Sequence, residues 1–109
     1  ILPFFSGERS PGYDDMARAA IMGVCRSTTR AELLRAGLES VCLRLATIHL
    51  LFLMLLMPAV VASGAALSAS PVWRQMLADV LGMRVLSSEV TEETQLGVAM
   101  VLSAALEEM

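Results

Sequence analysis

Apolar and polar positions alternate along this chain with more than one period. The clearest run is Leu34, Leu38, Val41, Leu45, Ile48 and Phe52, which advance by four, three, four, three and four residues. That is one face of an α-helix. Glu32, Arg35, Glu39 and Arg44 fall off the face. Thr29-Arg30-Ala31-Glu32 fits a capping box, with a hydroxyl at the N-cap and a carboxylate three positions on, so the helix is expected to start there. Past Leu45 the amphipathic pattern dissolves into "IHLLFLMLLM", and Pro58 stops it.

Elsewhere the elements are shorter. Residues 1–13 read as loop, because "FFSGERSPGY" mixes Gly7, Pro11 and Gly12 with polar side chains. Asp14 suits the N-cap of a short helix, "DMARAAIMGV", ending near Gly23. "AVVAS" after Pro58 is small and β-branched, as in a short buried strand, and residues 63–70 read as a turn. Ser70-Pro71 then sets a hydroxyl at the N-cap and proline at N1 of a helix that Gly82 closes. "MRVLS" is a second short strand. Thr91 is expected to cap a last helix, with Glu92 and Glu93 in the first turn, where the macrodipole favours acids. Strand, turn, helix, strand, helix from residue 58 onward is the α/β order.

The 109 residues suffice for one small domain. Hydrophobic residues make up 56%, against about 45–50% in ordinary globular chains. Either the core is large for the length, or apolar surface meets a partner or a membrane. The net charge of −3 gives no electrostatic case for nucleic acid. All eight basic residues are arginine, which excludes a phosphate-loop lysine and a Schiff-base lysine. Cys25 and Cys42 are expected as buried free thiols. A chain opening on Ile1 without a signal-peptide pattern reads as a piece of a longer product.

Few residues suggest chemistry by themselves. Gly64 stands between a strand and a capped helix, where backbone can approach a ligand closely and helix N–H groups suit an anion. A strand-to-helix turn with one glycine is equally an ordinary connection. The loop with Glu8, Arg9, Asp14, Asp15 and Arg18 reads either as a solvated turn with a Glu–Arg pair and a helix cap, or as a functional loop. His49 lacks partners for acid–base or metal work and reads as a packed or tail-end residue. Met54, Met57, Met76 and Met83 read as core filler. Finally, residues 45–73 carry no Asp, Glu, Lys or Arg. A spanning helix needs about 20 mainly apolar residues, and His49, Pro58 and Gly64 interrupt this run. A membrane-associated or partner-binding piece therefore stands as the alternative function.

Longer motifs point further. "LPFFSGERSPGYDDMARAAIMGV" resembles the segment of FGGY-family carbohydrate kinases that reads L-P-x-x-S-G-E-R-S/T-P and then D-P-x-A-R-G. "TRAELLRAGLESVCLRL" is similar to the helix that follows. "VASGAALSASPVWRQMLADVLGMRV" resembles the second signature, S-G-G-A, S-P-x-W-x-Q, A-D-V-L-G-x-P-V, and "TEETQLGVAMVLSAAL" the closing E-x-x-A-x-G-A-A helix. The motifs fall in the family's order over nearly the whole chain, with the xylulose or gluconate branch as the nearest comparison.

The resemblance implies two actin-like, ribonuclease-H-like domains around a cleft. It implies transfer of the γ-phosphate of ATP, with Mg²⁺, to a sugar or polyol hydroxyl in the cytoplasm. Residues 1–109 would be the later part of the second, nucleotide-side domain, helix-rich with two or three short strands. Gly64 and Ala65 match the two glycines of the nucleotide turn, with Ser70 beside it. Gly7, Glu8, Arg9, Asp14 and Arg18 match the loop near the cleft. The family's catalytic aspartate and most of its sugar contacts belong to the first domain, so no catalytic or metal-binding residue is assigned here. Four departures stand out. Ala65 replaces a glycine, adding a methyl beside the nucleotide and disfavouring positive φ. Ala69 or Ser70 takes the place of an asparagine, and Ala19 that of the glycine of A-R-G. "LLFLMLLM" replaces a mostly polar helix end and loop, as a divergent or misjoined segment would.

Overall fold

The computed structural model describes residues 1–52, 58–90 and 92–107. Its elements are α1 (Arg30–Leu50), β1 (Ala59–Ala62), α2 (Ala65–Ala69), α3 (Pro71–Leu81), β2 (Arg84–Ser87) and α4 (Glu93–Glu107). The capping box forms as expected. Thr29 Oγ1 accepts from Glu32 N at 3.2 Å, and Glu32 Oε2 accepts from Thr29 N at 2.7 Å. Two otherwise orphaned N–H groups are thereby satisfied at the start of a 21-residue helix.

The expected strands pair in parallel, with Ala59 opposite Arg84 and Ala62 opposite Ser87. Ser88 N extends the ladder to Ala62 O at 2.9 Å. A parallel pair needs a crossover, and α2 with α3 supplies it. The Ser70 hydroxyl caps α3 by accepting from Trp73 N at 3.2 Å, and Gly82 ends it at φ 65°. The result is a partial α/β unit, rich in helix.

Three expectations change. Residues 14–23 form no helix. Asp14 Oδ1 accepts from Met16 N at 2.8 Å, which begins a cap, but only one turn follows. Leu2 and Ala20 then exchange both backbone bonds, at 2.8 and 3.2 Å, and draw the chain into an extended bridge. Met16, Ile21 and Met22 are exposed, so no packing rewards a helix too short to hold itself. The 63–70 turn contains the five-residue α2, as its alanines and leucine favour. β1 is a strand, but only its Ala62 is buried.

The core also lies elsewhere than the apolar stripe suggested. Leu34, Leu45 and Phe52 are exposed, and none of the six stripe residues is fully buried. The buried side chains are Ser40, Cys42, Ala62 and Leu77. α1 is flanked by two layers. The segment Ile1 to Phe4 covers the side bearing Ser40, Arg44 and Thr47, and α3 packs on the side bearing Cys42. Trp73 joins α3 to α1, its Nε1 donating to Leu38 O at 3.2 Å. Every residue of α4 after Glu93 is exposed, including Leu96, Val98, Met100, Val101, Leu102 and Leu106. The radius of gyration is 17.4 Å, against about 13 Å for a compact domain of ~100 residues. The chain thus carries much apolar surface that its own elements leave uncovered.

No helix among the described residues is long and apolar enough to cross a membrane. Within 45–73, the described residues divide among the end of α1, β1, α2 and the start of α3. Thr91, and Met54 and Met57 with residues 53 and 55–56, lie outside the described residues. Met76 and Met83 are half-buried, one on α3 and one just past it.

Candidate functional site

The first candidate segment is the turn after β1. Gly64 lies two residues beyond the carboxyl end of that strand, with φ 94° and ψ 145°. An L-residue rarely adopts that φ, so glycine is required by torsion. It is not required by space, since a Cβ built there meets nothing within 4 Å. Ala65 opens α2 and is exposed, and its φ is not positive. The objection that alanine disfavours positive φ at this position therefore falls, and only the added methyl remains. Ser70 is half-buried, and its hydroxyl is already committed to capping α3.

Arg74 holds this turn from behind. Its Nη1 donates to Leu67 O at 2.6 Å and to Ser68 O at 2.7 Å, both carbonyls of α2. A five-residue helix has few internal bonds, and the guanidinium adds a second donor to Leu67 O, which already takes Ser70 N, and supplies one to Ser68 O. Sequence reading missed this role, because an arginine six or seven residues from its acceptors leaves no periodic signal.

The second candidate segment is the 6–18 loop. Gly7 has φ 79°, and a Cβ there would stand 3.0 Å from Asp15 Cα, so the chain doubles back closely at this point. Glu8 N donates to Asp14 O at 2.8 Å. The Glu8 carboxylate accepts from Gly12 N at 2.9 Å and pairs with Arg44 on α1. The Glu–Arg pair expected inside the loop is thus made across the fold. Arg44 Nη2 also donates to Ser10 O at 2.8 Å, and its Cζ lies 5.2 Å from the centroid of the Phe4 ring. The side chains of Glu8 and Arg44 are 16% and 23% exposed. A charge pair this sheltered is screened far less than a surface one.

Arg9 is exposed and makes no ion pair among the described residues. Arg18 turns back on its own loop, donating to Asp15 O at 3.0 Å and Ala17 O at 2.9 Å. The structure therefore brings Gly7, Glu8 and Asp14 together, with Arg18 on the same loop. Gly64, Ala65 and Ser70 form a separate group. Among the described residues no hydrogen bond or ion pair joins the two groups. Both are tied to α1, the loop through Arg44 and the turn through Trp73 of α3.

His49 sits in the last turn of α1, beside Leu45, Ile48, Phe52, Val60, Leu77 and Leu81, as a packed residue. The thiols divide. Cys42 is 1% exposed, and burial pushes its thiol up, with the Trp73 indole N–H opposing. Cys25 is exposed, contrary to expectation, and stands in the turn between residues 20–24 and α1. Hydrogen bonds from the hydroxyls of Ser27 and then Thr28 lower its pKa from 9.0 to about 7.

Along the whole chain these features follow a known pattern. The family model for the C-terminal domain of the FGGY carbohydrate kinases matches residues 1–106. The chain belongs to the FGGY family of carbohydrate kinases. Its relatives include a protein named glycerol kinase from Ectopseudomonas mendocina, 42% identical over 103 residues, which cover 91% of this chain and 20% of that one. A glycerol kinase of Oleidesulfovibrio alaskensis is 36% identical over 111 residues, with 97% and 22% covered. One from Thermus brockianus is 38% identical over 101 residues, with 90% and 20% covered. This FGGY chain spans about a fifth of the length of these curated relatives. The motifs were compared with the xylulose or gluconate branch, whereas these relatives carry the name glycerol kinase. The family is common to both.

Proposed function

We propose that residues 1–109 are the later part of the nucleotide-side, C-terminal domain of a cytoplasmic kinase with the actin-like, ribonuclease-H-like fold. The complete enzyme transfers the γ-phosphate of ATP to a hydroxyl of a sugar or polyol. Given the names of the relatives, a small polyol such as glycerol is the first acceptor to test. The observation that carries this reading is the Gly64 turn. It combines a glycine-only φ with open space before it, at the carboxyl end of a parallel strand. Open α/β sheets bind ligands outside the carboxyl ends of their strands.

The fit to ATP is specific in one respect and limited in another. The exposed backbone at Gly64 and Ala65 leaves room for a nucleotide, whereas the Ser70 hydroxyl is occupied by its cap. Mg²⁺ bound with a nucleotide takes one or two carboxylates and phosphate oxygens rather than a cage of protein ligands. Among the described residues no three Asp, Glu, His or Cys side chains converge. The Glu8 carboxylate is held by Arg44 and Gly12, and Asp14 accepts from Met16, so neither is assigned to the ion. Phosphoryl transfer needs several parts in position at once, so the 109-residue chain alone is expected to turn over neither glycerol nor a pentose with ATP. A coupled assay of ADP release tests this, and clear turnover refutes it. Ala65→Gly in a chain joined to the missing portion is expected to lower the KM for ATP, and an unchanged KM removes Ala65 from the nucleotide turn.

A further inference from the structure

We propose that Arg44 is a positioning residue, whose guanidinium fixes the conformation of the 6–18 loop from α1. The loop doubles back at Gly7 and is closed from within by Glu8, which takes Gly12 N. Its charged side chains other than Glu8 are exposed, so they anchor it to nothing beneath. Arg44 reaches it from 34 residues away in sequence, through Ser10 O, and meets the Glu8 carboxylate as well. Phe4 lies under the guanidinium, so one planar group is engaged at its edge by two oxygens and over a ring face. Gly12 completes the arrangement, since the Cβ of an L-residue there would collide with the Glu8 carboxylate. Lysine could offer one point charge to this set but not the planar fork. Arg44 therefore does not touch the site's open face. It sets where the backbone of residues 6–12 lies.

The consequence for phosphoryl transfer rests on the kinase reading, in which this loop borders the cleft. The ordering of the loop does not. Trypsin cleavage after the exposed Arg9 reports that ordering in the 109-residue chain, and Trp73 fluorescence during urea unfolding reports the α1–α3 packing. Arg44→Met is expected to speed the Arg9 cut at least tenfold and leave the Trp73 transition in place. Arg44→Lys should fall between, and Glu8→Gln, which keeps the shape and removes the charge, should speed the cut by less than Arg44→Met. Equal cleavage in all four proteins overturns the proposal. So does a shift of the Trp73 transition large enough to account for the faster cut, because Arg44 would then serve general stability.

Put in place of the matching fifth of the E. mendocina glycerol kinase, the chain supplies the catalytic readout. Arg44→Met is expected to change KM and kcat unequally, with partial return in Arg44→Lys, and an active enzyme indifferent to both variants removes the positioning role. If the joined parent enzyme is itself inactive, the kinase reading fails, and the cleavage series alone decides whether Arg44 orders the loop.

Discussion

The 6–18 loop and the 63–70 turn are both segments that the family's motifs bring to notice, yet they are held in opposite ways. The turn is held locally. Gly64 supplies its torsion, Ser70 caps the next helix, and Arg74 reaches back six and seven residues to α2. The loop is held at long range, by a sheltered arginine on α1 that meets Glu8, Ser10 and Phe4. Local devices set a backbone shape whatever lies around it. A long-range charge pair sets a shape only while both elements stay packed, so the loop should be the more fragile of the two.

The two glycines give the largest expected contrast. Gly12→Val should break the loop outright. Its side chain cannot coexist with the Glu8 carboxylate, and displacing that carboxylate leaves Arg44 sheltered without its partner. A loss of about 2–3 kcal/mol in local opening is expected, read from hydrogen exchange at the Glu8 and Gly12 amides. Gly64→Val, in open space, should cost about 1–2 kcal/mol through φ alone. L-alanine at residue 12 should meet the Glu8 carboxylate, whereas L-alanine at residue 64 meets only the torsion. If residue 12 tolerates L-alanine without loss, the loop is not closed by Glu8.

Thr29→Ala comes next. Losing the capping-box hydroxyl should cost about 1 kcal/mol, seen as a lower urea midpoint by circular dichroism. It should loosen the loop and the turn together, since both hang on α1. The same box gives the smallest effect, its pH dependence. Thr29 N and then the Thr29 hydroxyl hold the Glu32 carboxyl below its ordinary value of 4.5. A lowered folded-state pKa means the stabilisation is full above the unfolded value and is lost as pH falls through the folded one. The decline should therefore begin below about pH 4.5 and be reduced, not abolished, in Thr29→Ala, which removes the hydroxyl but keeps the backbone donor.

The two cysteines check the packing independently. Cys25 should alkylate with a midpoint near pH 7, set by Ser27 and Thr28. Cys42, covered by α3, should react only on unfolding. A Cys42 that alkylates in the folded chain would contradict the α1–α3 contact.

What was legible in the sequence follows the same division. Thr29 with Glu32, Ser70 with Pro71, Gly82, and the strands after Pro58 and Met83 are written within a few residues of the features they make, and they form as read. The 14–23 helix failed because Leu2, well upstream, competes for Ala20. Arg44 reads from the sequence only as a charge off the apolar face of α1, and nothing in spacing reveals that it reaches Glu8 or that Arg74 reaches Leu67. The stripe on α1 was real as a pattern, but Leu34, Leu45 and Phe52 are exposed along it, and so it could not mark the core.

The kinase reading rests most directly on the proposal that the Gly64 turn faces the nucleotide. The measurement is steady-state kinetics of the E. mendocina glycerol kinase with this chain in place of its matching fifth, with and without Gly64→Val. The account predicts glycerol-dependent ADP release in the parent and a KM for ATP raised about tenfold or more in the variant (roughly 1.4 kcal/mol), with the KM for glycerol unchanged. An active variant whose KM for ATP equals that of the parent would contradict it.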